Sequence, residues 1–137
     1  MIVADTGAVV ALIDSGDRHH ERLRALYLSD PDAWVLPGAI LPEVDYLVAT
    51  QLGPQAQSVF LADLAHGAFG VEWGRQTDIE AAALICERYA DLHIGLVDAV
   101  VIATAERLRA EAIVTLDLQH FGAVTIAGHP RLLPRDG

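Results

Sequence analysis

The chain has 137 residues, an apolar fraction of 53% and a formal net charge of −10. This length fits a single domain over residues 1–137 with one sizeable core. The strong acidic balance argues against nonspecific adhesion to nucleic acid or to an anionic membrane, and it favours a basic partner or a divalent cation. All nine basic residues are arginines, so the chain lacks the lysine that a P-loop or a Schiff-base enzyme requires.

No segment is predicted to cross a membrane or to direct secretion. The longest nearly apolar stretch, residues 92–105, contains His93 and Asp98 and is shorter than the roughly 20 residues that span a bilayer. The N-terminus has neither the basic nor the apolar region of a signal peptide, and the single cysteine, Cys86, excludes an intrachain disulfide. We therefore expect a cytoplasmic protein, and its high apolar fraction favours an oligomer.

Short β-rich segments alternate with helical patterns along the chain. In chain order, the predicted elements are a strand over 2–4, helices over 8–13 and 18–28, a strand over 33–36, helices from 41 and over 54–66, a strand over 68–73, helices over 77–89 and 96–109, and strands over 112–115 and 124–127. This alternation predicts an α/β fold with a mostly parallel central sheet of four to five strands, flanked by helices. A tail that contains proline and arginine follows the last predicted strand.

Three helix starts are predicted from local signals. Asp17 is expected to cap the second helix, and Pro42 is tolerated only in a first turn, which places the start of the third helix near Leu41. Residues 77–80 (TDIE) have the form of a capping box at the start of the fifth helix.

Four carboxylates lie where predicted strands give way to helices, namely Asp5, Glu43, Asp98 and Asp117. In a parallel sheet the strand ends and the following helix starts share one edge, where such folds bind ligands. Four acids at one edge repel each other unless a cation lies among them. Carboxylate oxygens are the ligands that Mg²⁺ or Mn²⁺ prefers, and no cluster of cysteines or histidines offers a softer site. The sequence therefore predicts a metal site formed by these four residues.

Each carboxylate also has a purely structural interpretation. Asp5 could form an Asx turn before Gly7, and Asp117 could serve a turn in the same way. Glu43 in a first helical turn is favoured by the helix macrodipole, and Asp98 could simply cap its helix. A purely structural role explains Asp98 least well, because its helix is apolar almost all round and an unpaired buried carboxylate is costly.

Nearby polar residues could support such a site. The hydroxyls of Thr6 and Thr115, each beside a strand end, could orient a carboxylate or a metal-bound water, although turn chemistry or β-propensity also explains them. His120, three residues after Asp117, could contact a phosphate, or it could be an ordinary surface histidine. An edge of acids that holds a divalent ion is suited to hydrolysing a phosphodiester without a protein nucleophile.

Four segments together resemble the PIN-domain ribonucleases, and most closely the VapC-type toxins of bacterial toxin–antitoxin pairs. These segments are IVADTGAVVALID at 2–14, LPEVDYLVATQLG at 41–53, LHIGLVDAVVIATAERL at 92–108 and AIVTLDLQHF at 112–121. They are similar to the family's strand with its Asp and Thr/Ser, its Glu-bearing helix, its central Asp-bearing helix and its final strand with an Asp and an aromatic residue. The segments occur in the family's order across nearly the whole chain.

This resemblance implies a three-layer α/β/α fold and a Mg²⁺- or Mn²⁺-dependent endoribonuclease. It implies Asp5, Glu43, Asp98 and Asp117 as the acidic, metal-binding site, with Thr6 as a supporting polar residue. It also implies a homodimer, and a cognate VapB-like antitoxin whose basic or apolar C-terminal segment enters the active-site groove. The acidic charge and the apolar excess agree with such a partner.

An RNA substrate fits the overall acidity less well, because proteins that bind RNA normally present basic surface. Locally concentrated arginines would be needed. The candidates are Arg18, Arg22, Arg24, Arg75 and Arg107, each of which could equally belong to a solvated helix face.

Two other functions remain open at the level of sequence. A phosphatase of the haloacid dehalogenase type would use Asp5 as nucleophile, but it requires a second Asp where this chain has Gly7, and it requires a lysine. A second alternative is a PIN-like protein-binding module that is catalytically idle. Mn²⁺-dependent RNA cleavage that the acid variants lose would distinguish the enzyme from the module.

Overall fold

The computed structural model describes all 137 residues and contains a parallel sheet of five strands. The strands are β1 (Ile2–Ala4), β2 (Trp34–Pro37), β3 (Gly70–Glu72), β4 (Ala112–Val114) and β5 (Arg131–Leu133). The helices are α1 (Thr6–Ile13), α2 (His20–Ser29), α3 (Leu41–Gln51), α4 (Pro54–Ala65), α5 (Gln76–Arg88), α6 (Leu96–Leu108) and α7 (Leu118–Phe121). Short 3₁₀ turns lie at Pro31–Ala33, Gly38–Ile40 and Ala90–Leu92. The predicted α/β class with a parallel sheet is confirmed, whereas one domain over residues 1–137 stays a prediction.

The strand order is β3-β2-β1-β4-β5, and every neighbouring pair is parallel. The chain moves outward from β1 to β3, then crosses back over the sheet and continues from β4 to β5. Because crossovers between parallel strands are right-handed, this reversal places α1–α4 on one face of the sheet and α5–α7 on the other. The carboxyl ends of β1 and β4 therefore flank the topological switch point, which is the usual ligand crevice of an open α/β sheet.

Burial is concentrated around β1 and α6. Val3 and Ala4 in the central strand are fully buried, as expected for a strand covered by helices on both faces. In α6 seven consecutive residues, 99–105, are buried, so the prediction of a helix that is apolar all round is confirmed. The first residue before this buried run is Asp98, which therefore lies at the boundary of the core.

The predicted last strand is wrong. Residues 124–127 form a loop, and the edge strand is β5, which pairs with β4 through Ala112 and Arg131. Ile126 is buried and Val124 packs against the core, so these apolar side chains are in the core without belonging to the sheet. Apolar β-branched residues in sequence indicate burial, which a loop can provide without strand pairing.

The predicted capping box at 77–80 is also wrong. Helix α5 begins at Gln76, and the carboxylate of Asp78 accepts a hydrogen bond from the backbone nitrogen of Arg75 at 2.9 Å. Similarly, α2 begins at His20, and Asp17 accepts a hydrogen bond from the backbone of His19 instead of capping the helix at residue 18.

The side chain of Asp78 is paired with Arg107 of α6. The Arg107 guanidinium donates to both oxygens of Asp78 at 2.7 and 2.9 Å, and its Nη2 lies 2.9 Å from Glu72. Asp78 is almost completely buried, so the paired guanidinium compensates its desolvation. This network fixes the start of α5 against α6.

None of the helices combines the length and the apolar character that a membrane span requires.

Candidate active site

Asp5 closes β1 and caps α1. Its Oδ1 accepts a hydrogen bond from the backbone nitrogen of Ala8 at 2.9 Å, and its Oδ2 accepts one from the Thr115 hydroxyl at 2.5 Å. The residue is only 4% exposed. Asp5 therefore caps α1 through one oxygen instead of forming the Asx turn considered from sequence, while its other oxygen points to the neighbouring strand across the switch point.

Thr115 connects the ends of β1 and β4. Its buried hydroxyl donates to Asp5 and accepts from the backbone nitrogen of Asp117 at 3.0 Å. The two strands are hydrogen-bonded neighbours, so the hydroxyl fixes the loop after β4 relative to the end of β1. This is the orienting role that the sequence predicted for Thr115.

Asp117 caps the short helix α7. Its Oδ1 accepts a hydrogen bond from the backbone nitrogen of His120 at 3.1 Å, and its Oδ2 accepts one from Nδ1 of the same histidine at 2.8 Å. The Nδ1 atom also lies 3.9 Å from Oδ2 of Asp98. His120 is therefore in contact with two of the predicted site residues.

Asp98 does not cap its helix, so that structural interpretation is wrong. The residue before α6 is Gly95, and Asp98 lies in the first turn without accepting any hydrogen bond from the chain. One ligand atom each from Asp98, Asp117 and His120 lie within 4.8 Å of one another. A half-buried carboxylate with no hydrogen-bond donor is costly unless a cation is nearby.

The pKa values of two site carboxyls are raised. The pKa of Asp5 is raised to about 6, mainly by burial, with smaller contributions from the charges of Asp98 and Asp117, while the hydrogen bonds from Thr115 and Ala8 oppose the rise. The pKa of Asp98 is raised by burial, then by the charge of Asp117, and it is lowered by His120. The three carboxylates therefore share one electrostatic environment with an excess of negative charge.

Glu43 and Thr6 lie at the margins of this group. Glu43 is exposed in the first turn of α3, and its charge contributes to the raised pKa of Asp98. It is outside the set of ligand atoms within 4.8 Å. Thr6 is buried, and its Oγ1 has no hydrogen-bond partner. The roles of both residues stay predictions.

The donor atoms suit a hard divalent cation. Asp98 and Asp117 contribute carboxylate oxygens to the set of ligand atoms within 4.8 Å, and no thiolate is present. Asp5 lies outside that set, although the charges of both residues raise its pKa. Raised carboxyl pKa values and the absence of a hydrogen-bond donor to Asp98 are what a cation would relieve. The residues therefore fit Mg²⁺ or Mn²⁺, as the sequence predicted.

Two of the five arginine candidates are engaged in the fold. The Arg107 guanidinium is held by Asp78 and Glu72, which raise its pKa, and Nη2 of Arg22 donates to the carbonyl of Pro134 at 2.6 Å. Arg22 is nevertheless exposed, and a role of either arginine in binding RNA stays a prediction. Arg18, Arg24 and Arg75 are exposed.

A sequence profile described as the PIN domain matches residues 2–125. This chain belongs to the PIN-domain family. It is 36% identical over 130 residues to the ribonuclease VapC26 of Mycobacterium tuberculosis H37Rv, across 95% of this chain and 96% of that protein. The PIN resemblance inferred from the four sequence segments is confirmed.

Solved structures share the PIN fold with this chain. The crystal structure of VapC20 from Mycobacterium tuberculosis, a toxin that cleaves the sarcin–ricin loop, superposes with a TM-score of 0.82 at 23% identity over 93% of this chain and 98% of that chain. A toxin–antitoxin complex from Klebsiella pneumoniae gives 0.71 at 20% identity, covering 97% and 96% of the two chains. FitAcB from Neisseria gonorrhoeae gives 0.67 at 20% identity, covering 96% of each. At these identities the likeness concerns the fold.

The contacts of His120 within the site were not predicted from sequence. The interpretation as an ordinary surface histidine did not anticipate its contacts with Asp117 and Asp98. A signal was present, because an Asp that caps a helix lies close to the residue three positions later in PIN segments such as LDLQH. That signal required the short helix α7, which was not predicted.

Asp5→Asn is expected to flatten the pH dependence of stability of the metal-free PIN domain. Since the native pKa of Asp5 is raised from 3.8 to about 6, the native state binds more protons than the unfolded state between these values, and stability falls as pH rises through them. This rise in pKa corresponds to a change of at most about 3 kcal/mol in the free energy of unfolding across the pH range. Urea unfolding in EDTA from pH 4.5 to 8 measures the difference.

The same experiment in Mn²⁺ provides the second arm. The wild-type protein should gain stability from the cation above pH 6, and the variant should gain much less. An equal pH slope in both proteins would show that the fold does not raise the pKa of Asp5. Asp32→Asn, at an exposed acid in the turn before β2, is the matched control.

Proposed function

We propose that this protein is a Mg²⁺- or Mn²⁺-dependent endoribonuclease and the toxin of a type II toxin–antitoxin pair. The observation that carries the proposal is the convergence of Asp5, Asp98 and Asp117 at the switch point of the sheet. The 36% identity to a VapC ribonuclease over nearly the whole chain supports RNA as the substrate. The relationship to a solved toxin–antitoxin complex supports an antitoxin partner.

Each site residue has a distinct role in the proposed reaction. Asp5, Asp98 and Asp117 would hold the cation, and Glu43 would border it on the exposed side. When bound, a divalent cation polarises a water and neutralises charge on the leaving oxygen of the phosphodiester. Thr115 and His120 hold the carboxylates in place.

RNA cleavage by the purified protein should depend on Mn²⁺ or Mg²⁺ and should be lost in the acid variants. We expect Asp5→Asn and Asp98→Asn to lower the cleavage rate by at least about a hundredfold, because each removes a charge that holds the cation. Asp32→Asn should cleave at the wild-type rate. The measurement is gel analysis of a broad panel of tRNA, rRNA and mRNA fragments with antitoxin-free protein.

A different outcome would favour the idle binding module. If folded wild-type protein binds Mn²⁺ but cleaves nothing in the panel, the enzyme proposal fails while the metal site stands. If wild-type and acid variants cleave at the same rate, the activity belongs to a contaminant and the proposed site is wrong.

A homodimer is part of the proposal. Large apolar side chains are exposed on two neighbouring helices, at Tyr46 of α3 and at Val59 and Leu61 of α4. Exposed apolar surface of this kind is typical of association between chains. Sedimentation analysis at micromolar concentration should give about twice the 14.7 kDa of one chain, and a single species of that smaller mass would contradict the dimer.

The antitoxin is proposed to dock in a groove beside the acidic site. The groove has a volume of about 500 Å³ and runs between the turn after β2, the loop before α5 and the start of α6. Its rim exposes Trp73 (77%), Leu96 (63%) and Ile79 (54%). Val97, the residue before Asp98, lines it. An apolar side chain followed by basic residues would fill the groove and meet the acids, which matches the chain's net charge of −10.

Leu96→Arg is expected to weaken antitoxin binding at least tenfold, because it removes an apolar contact and places a cation where the partner is basic. Leu84→Arg introduces the same change at a leucine of similar exposure (65%) on α5, outside this groove. Titration of each variant with the antitoxin from the neighbouring reading frame measures the affinity. Equal affinities of the two variants for the antitoxin would show that it does not dock in this groove.

A further inference from the structure

The carboxylate of Asp117 receives both of its hydrogen bonds from one residue. The backbone nitrogen of His120 donates to Oδ1, and Nδ1 of its ring donates to Oδ2. A single bond leaves a carboxylate free to rotate about its last torsion, whereas two donors on the two oxygens fix its plane. The orientation of Asp117 therefore depends on the ring of His120.

The ring of His120 also has contacts beyond Asp117. Nδ1 lies 3.9 Å from Oδ2 of Asp98, in the first turn of α6. His120 therefore lies between the loop after β4 and the segment that carries Asp98, with its ring close to both carboxylates.

The hydrogen-bond pattern limits what the ring can do for a cation. Since Nδ1 faces a carboxylate oxygen at 2.8 Å, it carries a proton there and cannot use the same lone pair to bind a metal. A ring nitrogen that donates to a metal-binding carboxylate is a typical outer-shell contact, and the loss of such contacts lowers metal affinity about 10- to 100-fold.

We propose that His120 is a positioning residue, which holds the Asp117 carboxylate against Asp98 so that the two can bind one divalent cation. This inference rests on the proposed metal-dependent function and adds a residue to its site. Direct metal ligation by His120 is the competing role, and the experiment separates the two.

The test compares His120→Phe with His120→Asn. Phenylalanine keeps a ring without donors, whereas the asparagine amide nitrogen can occupy the place of Nδ1 and donate to Asp117. Calorimetric titration with Mn²⁺ should show a 10- to 100-fold weaker affinity for His120→Phe and an affinity within about threefold of wild type for His120→Asn. His66→Phe, at a histidine exposed after α4, should bind as wild type does.

Pulsed electron paramagnetic resonance of the bound Mn²⁺ supplies the second readout. A positioning role predicts no directly bound nitrogen in the wild-type spectrum, and a strong nitrogen coupling would overturn the proposal in favour of ligation. Unchanged affinity in His120→Phe would also overturn it. Should that variant not fold, His120→Ala serves in its place, because it too removes the ring donor. If the wild-type protein binds no Mn²⁺ at all, the proposed function fails at the metal site itself, independently of His120.

Discussion

The hydroxyl of Thr115 is the interaction on which the site depends, because it joins the ends of two strands that are far apart in sequence. It donates to Asp5 and accepts from the backbone of Asp117. Parallel pairing of β1 with β4 brings these ends together, and the hydroxyl then sets their spacing. A crevice at the switch point is a general property of such sheets, but the acids in it are particular to this chain.

Holding these acids together works against stability. Asp5 is buried with a raised pKa, and Asp98 is half-buried without a hydrogen-bond donor. Elsewhere the chain treats a buried acid differently, since Arg107 neutralises Asp78 with two hydrogen bonds and lowers its pKa. The same fold thus contains one acid that is internally compensated and a group that is not. Uncompensated charge in a cleft is typical of a site that binds something.

Sequence patterns predicted the parts that depend on local chemistry. Alternating elements predicted the α/β class, and acids after a strand or in the first turn of a helix predicted Asp5, Asp117 and Asp98 as candidates, because the ends of these elements follow from their own residues. The patterns failed where a distant partner decides the outcome. Asp78 accepts from the backbone nitrogen of Arg75, so the capping interaction lies two residues before the predicted box, and its second partner, the guanidinium of Arg107, lies 29 residues later. The contact of His120 with Asp98 likewise required the tertiary structure, and the loop over 124–127 was mistaken for a strand because burial alone resembles pairing.

The acidic balance of the chain and its relationship to ribonucleases are compatible once the site charge is considered. RNA is repelled by an edge that carries three clustered carboxylates. A bound divalent cation neutralises most of this charge at that point and leaves the rest of the surface acidic. Specific contacts with RNA would then be confined to the cation and a few exposed arginines such as Arg75, beside the groove. A basic segment of an antitoxin needs no such cation, since its own charges complement the acids. The two proposed ligands therefore differ in their dependence on metal, although they meet the same carboxylates.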